Sequence, residues 1–187
     1  DYTRCLVSLS RGGADAVVVR EFDIPSRRFV KGGFTLPEAK ADIGWLDRHT
    51  VLVSTDFGPG SLTSSGYPRL VKRWQRGQPL ARAQTVFEAG PEDVSAFFSI
   101  DHTPGFERVQ VGRWPAFFRS VASLLVRDRL VPIDKPEEVS ASFWRQHLLL
   151  SLRADWTLDG RTWPKGSLLV ADAKAWLRGQ RQVQPLF

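Results

Sequence analysis

Short apolar or β-branched runs alternate with turn-forming residues along the whole chain, and the spacing within each run is the period of two expected of half-buried strands. Arg4-Cys5-Leu6-Val7-Ser8-Leu9-Ser10 and Ala16-Val17-Val18-Val19-Arg20-Glu21-Phe22 flank Gly12-Gly13 and predict a hairpin, with a third short strand at Arg28-Phe29-Val30. Ile43-Gly44-Trp45-Leu46, a turn at Asp47-Arg48-His49, Val51 to Thr55, Leu70 to Trp74 and Thr85 to Glu88 predict a four-stranded sheet. Similar groups run from Val94 to Ile133 and from Ser140 to Leu177. The period, about 45 residues, is that of a propeller blade.

Two places carry sharper expectations. Asp159-Gly160 between Trp156-Thr157-Leu158 and Arg161-Thr162-Trp163 asks for a type I′ hairpin, which sets Leu158 opposite Arg161, Thr157 opposite Thr162 and Trp156 opposite Trp163 as an aromatic pair. Phe117, Phe118, Val121, Leu124 and Leu125 recur at helical spacing after Pro115. That stretch reads either as a helix or as two strands around a tip at Asp128-Arg129, the strand reading being favoured by its strand-like neighbours.

The reading is thus all-β, a partial propeller of about four four-stranded antiparallel blades. The blades are placed at 1–31 (partial), 32–90, 91–135 and 136–187. The 187 residues, 42% hydrophobic and 25% charged, suffice for a buried core. No apolar run reaches the roughly 20 residues of a spanning helix, and Asp1-Tyr2-Thr3-Arg4 lacks the layout of a signal peptide. No membrane partner is expected. A net charge of +6 comes from 26 basic residues interspersed with 20 acids, which disfavours a phosphate track and hence a nucleic-acid partner. Seven tryptophans, at 45, 74, 114, 144, 156, 163 and 176, and twelve phenylalanines are assigned first to packing between sheets. The absence of methionine from the sequence is read as the mark of a processed chain or of a piece of a longer one.

Catalytic chemistry finds no foothold in these residues. No serine has the Gly-x-Ser-x-Gly flanks of a nucleophile elbow, and in Gly58-Pro59-Gly60-Ser61-Leu62 the spacing is wrong and the proline has no N–H to offer an oxyanion. His49, His102 and His147 lie apart, and His102 in Asp101-His102-Thr103-Pro104-Gly105 reads as part of a turn. Cys5, the one cysteine, sits on an apolar strand as a small buried hydrophobe. Gly12-Gly13 and Gly32-Gly33 lack the spacing of a phosphate cradle. No cofactor and no metal are expected.

A longer string is more specific. Phe34-Thr35-Leu36-Pro37-Glu38-Ala39-Lys40, Gly44-Trp45-Leu46-Asp47 and Thr55-Asp56-Phe57-Gly58-Pro59-Gly60-Ser61-Leu62-Thr63-Ser64-Ser65-Gly66-Tyr67-Pro68-Arg69 resemble the N-terminal β-propeller of bacterial prolyl oligopeptidase family serine peptidases. The likeness continues through Val71 to Leu80, Asp101 to Arg108, Asp155-Trp156-Thr157 and Pro164 to Leu169. It implies a parent enzyme whose seven-bladed propeller caps a separate α/β-hydrolase domain that cleaves peptides after proline, its triad lying outside these residues. About four of seven blades fit in this length.

The resemblance implies a non-catalytic segment that gates the access of short peptides, partnered by the hydrolase domain of the same polypeptide. Asp56, Phe57, Ser61 and Tyr67 of the 56–67 loop are the candidate gating residues. The competing reading is a stand-alone binding scaffold without peptidase activity. A partial propeller also exposes blade faces, from which self-association is expected. The compartment of the parent, cytoplasmic or periplasmic or secreted, stays open.

Overall fold

In the computed structural model the described residues are 3–187, so Asp1 and Tyr2, the start of the segment read above as lacking a signal, lie outside them. Two compact units are formed, one ending at Phe98 and one running Ser99–Phe187.

In the first unit, β1 (Arg4–Ser10) and β2 (Val17–Asp23) form the expected hairpin, in register from Arg4 opposite Asp23 to Ser10 opposite Val17. The far edge of β2 is shared by β3 (Arg28–Phe29) and β4 (Thr35–Ala39), which pair with its two ends and make a four-stranded sheet. β5 (Asp42–Asp47), β6 (Thr50–Ser54), β7 (Leu70–Gln75) and β8 (Gln84–Glu88) form the next sheet in sequence order. The apolar faces of these two sheets meet in one core of Val19, Phe34, Leu36, Val51, Val53, Trp74 and Ala83. Phe34 lies at its centre, edge-on to Trp45 and Trp74 at 5.6 and 4.9 Å between ring centroids.

A charged group is built into that core. Glu21 follows Val17 and Val19 at strand period, so its side chain is carried to the buried face, where it is fully enclosed. It accepts hydrogen bonds from Arg4 Nη1 at 2.9 Å, from Arg76 Nη1 and Nη2 at 2.7 and 3.0 Å, and from the Phe34 N–H at 2.9 Å. Burial pushes its carboxyl up, but the bonds from Arg76, Phe34 and Arg4 outweigh that and hold it below the ordinary 4.5.

Further along, β9 (Ser95–Asp101), β10 (Arg108–Ala116), β11 (Arg119–Val126) and β12 (Arg129–Pro132) form a meander. The segment with helical spacing is therefore strand-turn-strand. Arg127 and Asp128 both take positive φ at the β11–β12 tip, one residue before the tip expected at Asp128-Arg129. β13 (Val139–Trp144), β14 (His147–Leu152), β17 (Leu168–Asp172) and β18 (Gln184–Pro185) make the last sheet. Between β14 and β17 lies the hairpin of β15 (Trp156–Leu158) and β16 (Arg161–Trp163).

That hairpin has the expected register, with Asp159 and Gly160 at φ 48° and 77° and the hydroxyls of Thr157 and Thr162 at 2.8 Å. The ring that Trp156 meets is that of Trp176, edge-on at 6.1 Å, while Trp163 is covered by the Arg161 guanidinium at 3.8 Å. Trp176 belongs to a one-turn helix, α1 (Ala173–Leu177), capped by Asp172 and too short to register as a period in the sequence. Among the tryptophans, Trp144 departs from the packing assignment: it is 59% exposed, stacked on His147 and flanked by Arg145. Cys5 is half-buried on β1.

Candidate functional site

The 56–67 loop joins β6 to β7 and is closed on itself. Asp56 Oδ1 accepts from the Gly58 N–H at 2.8 Å, forming an Asx turn. The Ser61 hydroxyl accepts from the Phe57 N–H at 2.8 Å, and its own proton lies between Gly58 O at 2.6 Å and Asp56 Oδ1 at 3.1 Å. Ser61 is 2% exposed, so its oxygen serves as an internal brace. Gly58 and Gly60 take φ of 100° and 78°, which makes this tight path possible.

Arg69 staples the loop from outside. Its Nε donates to Gly60 O at 2.7 Å, and its Nη1 to Glu88 Oε1 and Ala89 O at 2.6 and 2.7 Å. The second half is tied through Thr63 N–H to Tyr67 O at 2.8 Å and through Thr63 and Ser65 hydroxyls to Val94 O. At the root of the loop the buried Thr55 hydroxyl has no hydrogen-bond partner among the described residues. Hydrogen bonds thus tie both halves of the loop.

The four candidate residues consequently separate. Asp56 and Ser61 bind the loop to itself. Phe57 packs against the core of the first unit with the Lys72 ammonium 4.2 Å from its ring centre. Tyr67 alone reaches an open cavity, and there its hydroxyl donates to Asp15 Oδ2 at 3.2 Å while the Lys40 ammonium sits over its ring at 3.5 Å.

That cavity, about 290 Å³, was not visible in the sequence, because its walls come from separate segments. Asp15 precedes β2, Lys40 and Ala41 link β4 to β5, Asp42 opens β5, Ser54 ends β6, and Ser95 to Phe98 open β9. Asp42 is exposed at the first position of β5, and partial desolvation raises its carboxyl above the ordinary 3.8, with a bond from the Ile43 N–H opposing. Asp15, Lys40 and Asp42 make no ion pair with one another, although all three line one cavity.

His102 lies in the turn after β9, where Asp101 accepts from the Thr103 N–H at 2.9 Å and is held below its ordinary value by the Thr103 hydroxyl and amide. Among the described residues, no group of three or more His, Cys, Asp or Glu is placed to hold a metal ion. No helix among them is long and apolar enough to cross a membrane.

Successive four-stranded antiparallel sheets of this kind define the β-propeller class. No protein-family profile matches the chain. It is 35% identical over 191 residues to an uncharacterised peptidase, y4nA, of Sinorhizobium fredii, covering 97% of this chain and 26% of that protein. It is 26% identical over 182 residues to an uncharacterised peptidase, RP174, of Rickettsia prowazekii, covering 89% of this chain and 25% of that one.

Among solved structures, a post-proline cleaving enzyme from Rickettsia typhi superposes with a TM-score of 0.90 at 23% identity, over 99% of this chain and 29% of that one. Oligopeptidase B from Leishmania major superposes with a TM-score of 0.69 at 13% identity, over 98% and 24%. In sequence the chain matches part of two proteins named as peptidases, and its fold is that of the propeller part of prolyl oligopeptidases. It spans about a quarter of the length of the curated relatives it matches.

Proposed function

We propose that the chain is the non-catalytic propeller segment of a longer serine peptidase, where it limits access to a separate α/β-hydrolase domain that cleaves short peptides after proline. The observation that carries this reading is the superposition along 99% of the chain on a post-proline cleaving enzyme, of which the segment makes up only 29%. Most of such an enzyme lies outside the matched stretch, leaving room for the catalytic domain and the remaining blades. The blades, placed from the sequence at 1–31, 32–90, 91–135 and 136–187, are then part of a seven-bladed ring, the first sheet extending to Ala39 because β4 pairs with β2. The stapled 56–67 loop fits a rigid wall, and Asp56, Phe57, Ser61 and Tyr67 set its shape rather than act on substrate. Taken alone, the segment associates with itself through sheet faces that the remaining blades would cover.

The test is to express the longest open reading frame that contains these residues and assay it with a fluorogenic Gly-Pro amide, with and without a serine-directed phosphonate. Hydrolysis after proline that the reagent abolishes supports the proposal. Absence of hydrolysis, or a reading frame that closes around the 187 residues alone, overturns it in favour of a binding scaffold.

A further inference from the structure

The first sheet is shallower than the others. β3 and β4 lie end to end along the same edge of β2, so the sheet is three strands deep, whereas β5 to β8, β9 to β12 and the group of β13, β14, β17 and β18 are each four deep. Counted back from β4, which leads into β5 as β8 leads into β9 and β12 into β13, β1 takes the place of a second strand. The second strands of the other sheets, β6, β10 and β14, are paired along both edges. Among the described residues β1 pairs with β2 alone.

The open edge is set residue by residue. Thr3 O accepts from the Ile24 N–H at 2.9 Å, and backbone bonds alternate along an antiparallel pair. Cys5, Val7 and Leu9 therefore turn their N–H and C=O groups toward β2, while Arg4, Leu6 and Ser8 turn theirs outward. Burial agrees with this. Cys5-Leu6-Val7-Ser8-Leu9 is an apolar run, yet no residue of β1 is buried and Leu9 is 48% exposed. In the corresponding strands, β6 buries Val51, Leu52, Val53 and Ser54, and β14 buries Leu148, Leu150 and Leu152.

Nor does β1 carry the devices that keep an edge from pairing. It has no proline, and its register against β2 is regular from Arg4 to Ser10. The opposite edge of the same sheet is blunted by Pro37 within β4 and by a break in pairing between Phe29 and Thr35. An unblunted apolar strand with outward N–H and C=O groups is a template for one more strand. In the other three sheets the strand on that edge is the one directly before it in sequence: β5 before β6, β9 before β10 and β13 before β14.

We propose that β1 is completed by an extended antiparallel strand from the polypeptide that precedes Asp1 in the longer protein, hydrogen-bonded to the outward backbone groups of Leu6 and Ser8. The strand carries apolar side chains on the side of Leu6, which packs against the core of the first unit. A short turn ahead of Arg4 joins the two, as Arg48-His49 joins β5 to β6 and Arg145-Gln146 joins β13 to β14. The inference rests on the reading of the chain as part of a longer protein, but not on that protein's chemistry. Hydrolysis after proline with an open β1 edge would sink the added strand alone, and a covered edge in a protein that hydrolyses nothing would sink the peptidase reading alone.

The experiment is hydrogen exchange, resolved to single amides by fragmentation mass spectrometry. It compares the 187-residue chain, the product of the longest reading frame that contains it, and that product cut back to begin at Asp1. In the two forms that begin at Asp1, Leu6 and Ser8 are expected to exchange at least about tenfold faster than Cys5 and Val7, the equilibrium factor of one backbone hydrogen bond at the upper end of its net value. In the full product this alternation is expected to vanish, Leu6 and Ser8 slowing to the rate of Val7 at every protein concentration. Alternation that persists in the full product, slow exchange of Leu6 and Ser8 that survives the cut at Asp1, or slow exchange that is lost on dilution and so belongs to a second copy would each overturn the proposal.

Discussion

Replacing Glu21 by Gln tests how the first unit is held together. The side chain has no exposure and satisfies four donors, three from Arg4 and Arg76 and one from the Phe34 backbone. An amide keeps the shape but removes the charge and turns one acceptor into a donor facing an arginine. Breaking a buried pair by removing one partner costs about 3–5 kcal/mol. Arg4 and Arg76 retain 28% and 21% of their side-chain exposure and recover some hydration, so the lower end, about 3 kcal/mol, is expected.

The pH dependence gives an independent handle on the same group. Its folded value is lowered, so its contribution is fully present above the unfolded 4.5 and is lost as pH falls through the folded value. Urea unfolding followed by hydrogen exchange at the Phe34 amide, which donates to Glu21, reads the loss locally. Glu21→Gln is expected to raise exchange at Phe34 and to flatten the acid limb of stability below pH 4.5. A variant within about 0.5 kcal/mol of wild type, the range of an ordinary surface change, with an unchanged acid limb would refute the reasoning.

Other outcomes follow from the same coordinates. Gly33→Ala places a Cβ 2.7 Å from Glu21 Oε2 and 2.9 Å from Val30 Cβ, and thermal unfolding is expected to show a loss of about 1–3 kcal/mol. Lys135 donates to Ser120 O at 2.6 Å, and burial pushes its ammonium down to about 8, against the opposing pull of Glu137 and Glu138. The folded state therefore holds fewer protons than the unfolded one between pH 8 and 10.5, so wild type should gain stability relative to Lys135→Met as pH rises through that window, measured by denaturant titration. Trp144→Ser removes a ring that is 59% exposed and should change stability by no more than about 0.5 kcal/mol in the same titration.

Local rules made parts of this structure readable. Asp159-Gly160 demands positive φ at two successive residues, and few arrangements other than the observed hairpin supply it. The stretch from Phe117 to Leu125 was ambiguous because its apolar residues fit both periods. The structure resolves it with a Phe117-Phe118 turn whose rings are 81% and 68% exposed, where a helix would have buried one face.

Glu21 carried a signal that periodicity alone does not flag: a carboxylate in the position that continues Val17 and Val19 toward the core. Its partners Arg4 and Arg76 are 17 and 55 residues away. The cavity was invisible for the same reason, since Asp15, Lys40, Asp42, Tyr67 and Phe97 come from separate segments. Of the four loop residues, only Tyr67 faces that cavity. A sequence string marks a loop without telling which side chains it spends on itself.

The most direct test of the gating account compares one Gly-Pro sequence presented to the longer polypeptide as a free peptide and inside a folded protein. The comparison is repeated after Arg69→Ala removes the bonds to Gly60, Glu88 and Ala89 that staple the 56–67 loop. The account predicts cleavage of the peptide alone by the intact protein, with Arg69→Ala shifting the ratio toward the folded substrate. Equal cleavage of both substrates by the intact protein would contradict it.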